Sequence, residues 1–375
     1  MVEIQQIDVN SKKQVNEFVQ FHYDLYKSCP QWVPPFYADI KMMLNHEKHP
    51  FYQHSEADFF VARREGKIVG RISAMENKPY NQYHQCKTAT FYLFDSIDDS
   101  EVSNALLDAL ANWARERGLN RIVGPKGFNG LDGYGILVEG FEHRQMMNMM
   151  NYNYAYYPKL FEEAGYQKEN DFVSCYIKTD DFRLPEKVHE ISRRIEERGS
   201  LWVKSFKSKR ELVQWVPALG EAYNKAFVNN WEYYPFSKAE VKYMLDNVIT
   251  VAVPELIKFI MHENDIIGFM MAFPDVSAAM QRHGGQLNPL SIIDLLIELK
   301  RTKWVAINGA GVLPEFHGRG ANALLYTEME KALRGAGFID AEQTQMADTA
   351  VQVRKDMETL GARIYKRHRI FSKDI

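Results

Sequence analysis

The sequence predicts a mixed α/β protein of two related units, each a mostly antiparallel mixed sheet flanked by helices. Three observations predict it. At 375 residues the chain exceeds what one hydrophobic core usually holds, which favours about two domains. Hairpin, strand, helix, strand, helix and strand patterns follow one another in the first half and again in the second, as duplication of one unit would produce. Between the two runs, residues 179–186 (Thr-Asp-Asp-Phe-Arg-Leu-Pro-Glu) are polar and broken by proline, so the expected domains are 1–182 and 187–375.

In the first half, Val15, Phe18, Val19, His22 and Leu25 recur at helical spacing between Lys12 and Ser28. Phe59 to Arg63 and Lys67 to Ile72 read as a hairpin turning at Arg64-Glu65-Gly66, and Thr88 to Phe94 as the next strand. An amphipathic helix from Val102 to Arg117 ends at Gly118, and the strand Arg121 to Gly124 follows. Pro158 to Ala164 is a short helix, and Asp171 to Lys178 a closing strand.

The second half gives helices over Lys209 to Phe227 and Ser237 to Asn247, then a hairpin of Leu256 to Met261 and Ile266 to Phe273. Trp304 to Leu313 is a strand, Ala321 to Ala336 a helix and Phe338 to Gln343 a strand. Thr349 to Leu360 is the last helix and Ala362 to Phe371 the last strand.

Composition narrows the function. Hydrophobic residues at 46% and charged residues at 25% are those of a soluble globular protein. The net charge of -3 gives no global pull toward nucleic acid or an anionic membrane, so any anion site is local. Cys29, Cys86 and Cys175 form neither a disulfide framework nor a metal pair, and the eleven histidines show no metal-binding spacing. With no apolar leader or membrane-length run, the expected location is cytoplasmic and no membrane or metal is expected.

One segment carries chemistry. The strand ending at Val312-Leu313-Pro314 runs through Glu315-Phe316-His317-Gly318-Arg319-Gly320-Ala321-Asn322 directly into a helix. Glycines there let the backbone turn tightly and aim several N–H groups at one anion. The helix start adds its own unpaired N–H groups and dipole, and Arg319 a positive charge. The pattern is that of a pyrophosphate seat.

These residues resemble the GNAT superfamily of acyl-CoA N-acyltransferases. Its [Q/R]-x-x-G-x-[G/A] signature aligns with His317-x-x-Gly320-x-Asn322, where the central glycine matches and both flanks depart. The wider stretch from Gly311 to Gly320 fits better, as does the ending from Asp356 to Tyr365, and the resemblance covers most of residues 200–375. It implies acetyl-CoA or another acyl-CoA as cofactor, with backbone groups of Val312 and Leu313 on the pantetheine arm. Amides of His317, Gly318, Arg319, Gly320, Ala321 and Asn322 would take the pyrophosphate. It further implies an N-acyltransferase acting on a small-molecule or peptide amine near the interdomain cleft, without nucleic acid; homodimerisation is open.

The proton-moving residues are less legible. The resemblance places an acid tyrosine four residues before the helix-ending glycine, and this chain has Met357 there, and Phe161 in the first half. Tyr365 is a substitute donor by proximity in sequence, as is Tyr326, which reads more simply as a helix residue. Asn308 can position an amine but not deprotonate it, and Glu342 is the base candidate.

The first half resembles the same fold more faintly, through Ala62 to Gly70 and Phe161 to Tyr166. Its loop Phe94 to Glu101 has no glycine and four acids, which suit helix capping and repel pyrophosphate, so this unit is expected to have lost acyl-CoA binding. Other features carry less. The loop Gly124 to Gly133 walls a pocket or merely turns; Met146 to Tyr157 suits an adaptable apolar lining or an interdomain contact, and more simply a core; Tyr365 to Arg369 reads as a solvated edge. Two alternatives remain beside the enzyme. One is a non-catalytic CoA-binding or scaffolding protein. The other is a Fem-type aminoacyl transferase, which the mild acidity opposes.

Overall fold

The computed structural model describes residues 1–129, 132–147, 150–179 and 182–375. Contacts divide the chain into two compact units that are discontinuous in sequence. The first holds Met1–Val173, Val276–Glu298 and Lys366–Ile375, and the second Ser174–Asp275 and Leu299–Tyr365.

The first unit begins with β1 (Glu3–Gln6), α1 (Lys12–Tyr26) and α2 (Tyr37–Met43). Strands β2 (Glu56–Arg64) and β3 (Lys67–Glu76) form the expected hairpin, turning on Glu65 and Gly66, both at positive φ, as a two-residue turn between twisted strands requires. Then come α3 (Lys78–His84), β4 (Thr88–Ser96), α4 (Ser100–Glu116), β5 (Arg121–Gly124), β6 (Ile136–Glu139), α5 (Tyr157–Glu163) and β7 (Gln167–Lys178), whose residues from Ser174 on belong to the second unit. Alternate side chains of β2 enter different cores, because successive strand residues point to opposite faces. Phe60 and Ala62 join Leu106 and Leu110 of α4, while Phe59 and Val61 join Phe18 and Val19 of α1.

The second unit contains α6 (Glu186–Arg198), β8 (Trp202–Ser205), α7 (Lys209–Gln214), α8 (Val216–Ala226) and α9 (Lys238–Val251). A single expected helix over residues 209–227 is thus two, divided at Trp215. The hairpin β9 (Ile257–His262) and β10 (Asp265–Pro274) follows. Helices α10 (Ser277–Arg282) and α11 (Pro289–Arg301) come next in the chain but lie mostly in the first unit. There Gln281 donates to the carbonyls of Pro30 and Trp32 at 2.9 and 2.8 Å. α11 leaves Leu290, Ile293, Leu296 and Ile297 exposed. The second unit resumes with β11 (Trp304–Val312), α12 (Ala321–Gly335), β12 (Asp340–Ala347) and α13 (Val351–Thr359), before β13 (Arg363–Asp374).

The strands of the two units repeat one plan. In the first, β4 runs antiparallel to β3 and parallel to β5; in the second, β11 runs antiparallel to β10 and parallel to β12. Each central strand also carries a two-residue bulge at the matching place. Leu93 and Phe94 stand opposite Ile72, and Asn308 and Gly309 opposite Met271.

The basic stretch in the first half of β13 is not a solvated edge. In the first unit Arg367 to Arg369 pair with β6, Lys366 and His368 are buried, and Arg369 reaches Asp171 with both Nε (2.9 Å) and Nη2 (3.2 Å). Arg367 and Arg369 are accommodated because the buried Asp171 carboxylate answers both. Gly130 and Leu131 of the glycine-rich loop, and Asn148 and Met149 of the Met/Tyr stretch, lie outside the described residues.

Candidate active site

The geometry of the second unit's site starts with its sheet. β11 and β12 are paired from Trp304–Asp340 to Ile307–Gln343, and there the ladder stops although both strands run on. The bulge at Asn308 and Gly309 (φ +81°) sits at this point.

Past β11, Pro314–Phe316 makes one 3-10 turn, and the chain enters α12 through Gly318 (φ +73°) and Gly320 (φ +85°). Glycine adopts that backbone without the cost a side chain would bring. The local hydrogen bonds can be accounted for. Phe316 N–H donates to Leu313 O, His317 N–H to Pro314 O, Arg319 N–H to Phe316 O and Leu324 N–H to Gly320 O. The N–H groups of Gly318, Gly320, Ala321, Asn322 and Ala323 have no acceptor among the described residues. No side chain caps α12, whereas Ser11, Asn77, Asp99, Ser208 and Ser237 cap five other helices. The seat is open: His317, Gly318, Arg319 and Asn322 are exposed. Arg319 lies over the Phe316 ring, 5.3 Å from its centre.

Three neighbours refine the expected roles. His317 Nε2 lies 2.8 Å from Val312 O, so that nitrogen carries the proton and straps the loop to the strand end. Leu313 N–H already donates to Ile267 O at 2.9 Å. Two of the backbone groups expected on a pantetheine arm therefore have protein partners. A Cβ on Gly320 would collide with Ile195 and Ile191 of α6, so this glycine is required by packing as well as by backbone angle. Gly318 has open space around its Cβ position.

Glu342 is fully buried and lies opposite Ala306 in the parallel ladder. Side chains alternate, so Glu342 and Asn308 share one face of the sheet and Ile307 and Gln343 the other. On the Glu342 face, Ser174 Oγ and Thr344 Oγ1 are 2.9 Å apart and Tyr176 Oη donates to Asp340 at 2.6 Å. Tyr365, half-buried, has its ring 6.0 Å from that of Tyr176. Glu342 and Asn308 thus share a face near the end of the ladder, and Tyr365 stands with Tyr176. Tyr176 was not read from the sequence; the alternation Ser174, Tyr176 along β7 was its only signal. On the opposite face, burial and then the charge of Asp356 push the Tyr326 hydroxyl up to about 12.

The matching place in the first unit is closed. Asp99 caps α4 by accepting from Glu101 N–H at 2.9 Å, and Arg64 binds both Asp99 and Glu101 at 2.8 Å. Asp95, just after the bulge, is buried and accepts from Arg71 Nε at 2.7 Å. His22 Nδ1 lies 2.9 Å from the same oxygen, and Tyr157 Oη reaches the other at 3.4 Å. Burial alone would raise the Asp95 carboxyl, but His22 and Arg71 hold it below the usual range. No local spacing announces this network, whose members are far apart in sequence.

Among solved structures, the tandem GNAT protein from the clavulanic acid biosynthesis pathway superposes on 100% of this chain and 98% of its own, with a TM-score of 0.56 at 12% identity. The chain has a tandem GNAT fold. No protein-family model matches it. Protein YghO of Escherichia coli (strain K12) is 27% identical over 371 residues, covering 97% of this chain and 94% of that protein. The bacterial ceramide synthase of Caulobacter vibrioides is 26% identical over 374 residues, covering 98% and 96%. Among the described residues no helix is long and apolar enough to cross a membrane.

Proposed function

We propose that the chain is an acyl-CoA-dependent N-acyltransferase whose donor sits in the second unit and whose acceptor is a small-molecule or peptide amine. The observation that carries this reading is the set of five unpartnered N–H groups at an uncapped helix start, with Gly318, Arg319 and Asn322 exposed there. Such a set fits a pyrophosphate, because the donors have no protein acceptor and an anion supplies one. The thioester supplies an activated acyl carbon. The amine nitrogen forms the new C–N bond, the C–S bond breaks, and the amine's proton ends on the thiol. Within this reading Asn308 orients the amine, Glu342 receives its proton, and Tyr365 is the hydroxyl donor to be tested. The Caulobacter relative's name supports the class, since a ceramide is an N-acylated long-chain amino alcohol. Such bases belong among the first acceptors to assay.

Calorimetric titration of the full chain with CoA and acyl-CoA esters tests the donor seat. The expected outcome is binding by the wild type, weakened at least about tenfold (about 1.4 kcal/mol) by a carboxylate in Gly318→Glu. The neutral Gly318→Asn, which tolerates the left-handed backbone, should bind nearly as the wild type does. Absence of binding by the wild type defeats the reading. A second reading, CoA binding without transfer, is favoured by Met357, which stands where the resemblance puts an acid. Thiol release across a panel of amines separates the two.

A further inference from the structure

The face of the second unit's sheet opposite Glu342 holds a cleft with about 610 Å³ of empty space, part of it open to solvent. Its floor is the paired part of the ladder, through Val305, Ile307 and Ala341. Its wall is one side of α12, through Tyr326, Met329 and Leu333, a run of about 10 Å along the helix axis. α13 closes it with Met357. The few polar side chains do not make it a polar site. Glu330, the charged one, is answered by Arg334 at 3.0 Å and by His189 at 3.6 Å.

Space lined in this way needs an explanation. Water held there finds few hydrogen-bond partners, and leaving it empty costs the contacts that a packed core would make. A hydrocarbon chain satisfies both conditions. The cleft also lies along the helix whose first turn offers the free amides, and on the sheet face away from Glu342 and Asn308. A chain attached to the donor reaches this side, while the amine is handled on the other.

We propose that this cleft takes the hydrocarbon chain of the acyl donor, so that the donor is a long-chain acyl thioester rather than acetyl-CoA. The inference rests on the donor seat argued above, and its test separates the two. The full-length protein is titrated with CoA, acetyl-CoA and hexadecanoyl-CoA, and hexadecylamine is added as competitor. The expected result is that CoA and acetyl-CoA bind within about twofold of one another, while hexadecanoyl-CoA binds at least about tenfold tighter. Leu333→Trp, which fills the far end of the cleft, should remove most of that advantage and leave CoA binding unchanged. Equal affinity for all three esters overturns the inference while leaving the seat intact. Failure of every ester to bind overturns the seat itself. Displacement of hexadecanoyl-CoA by hexadecylamine with CoA binding unaffected overturns the assignment of the cleft to the donor. Because the chain-length comparison uses the wild type, it decides the question even where Leu333→Trp does not fold.

Discussion

The two strand–bulge–helix segments share a plan and differ in where their polar groups point. In the first unit, Asp95 turns inward to Arg71 and His22, and Asp99 satisfies the start of α4. In the second, Ala310 stands in the place of Asp95, Gly320 in the cap position of Asp99, and the start of α12 has no side-chain cap. A helix start can be finished by the protein or left for a ligand, and the choice turns on a few side chains. The same fold therefore serves as structure in one unit and as a candidate site in the other.

The comparison breaks most readily at the first unit's buried pair. Arg71→Met leaves Asp95 without its chief partner in the interior, and should lower unfolding free energy by roughly 3–5 kcal/mol in urea titrations, with CoA affinity of the surviving folded protein unchanged. An unaltered denaturation midpoint would show that the pair is not structural.

A second effect comes from pH. Burial brings His368 from 6.5 down to about 3, against a smaller raising effect of the hydrogen bond to Asn151 O. Between those values the unfolded chain binds a proton that the folded chain does not. Stability therefore rises with pH across this window and is lost on acidification below 6.5, with a contribution of up to roughly 1.4 kcal/mol per pH unit from this group. Thermal melts of the wild type and His368→Gln between pH 4 and 7 should diverge, the variant having the flatter profile; parallel curves would assign the slope to other groups.

The smallest effect isolates the cap. Asp99→Ala removes the acceptor at the start of α4 and should cost about 1 kcal/mol of stability without creating CoA binding. A variant that gained CoA affinity would show that the first unit's seat is only masked, not lost.

The fold was largely legible because its signals are local. The Glu65-Gly66 turn, the α4 and α12 stripes and the glycine loop each declare themselves within a few residues. What escaped depends on distant partners. α6 is a charged helix whose Ile191 and Ile195 gain meaning only against Gly320, and nothing in its composition names that neighbour. The His22, Arg71, Asp95 and Tyr157 network is assembled by the sheet, not by spacing. Of the candidate site, the anion loop was readable, while the shared face of Glu342, Asn308, Tyr176 and Tyr365 emerged only once strand register was known.

The discontinuity of the units has a consequence for cutting the molecule. Residues 276–298 and 366–375 belong to the first unit but are encoded with the second half. A fragment ending near residue 182 lacks two of its own pieces, and the complementary fragment carries them as unmatched cargo. A protease nick within residues 179–186 severs the covalent link yet leaves the first unit dependent on both fragments for its complete fold.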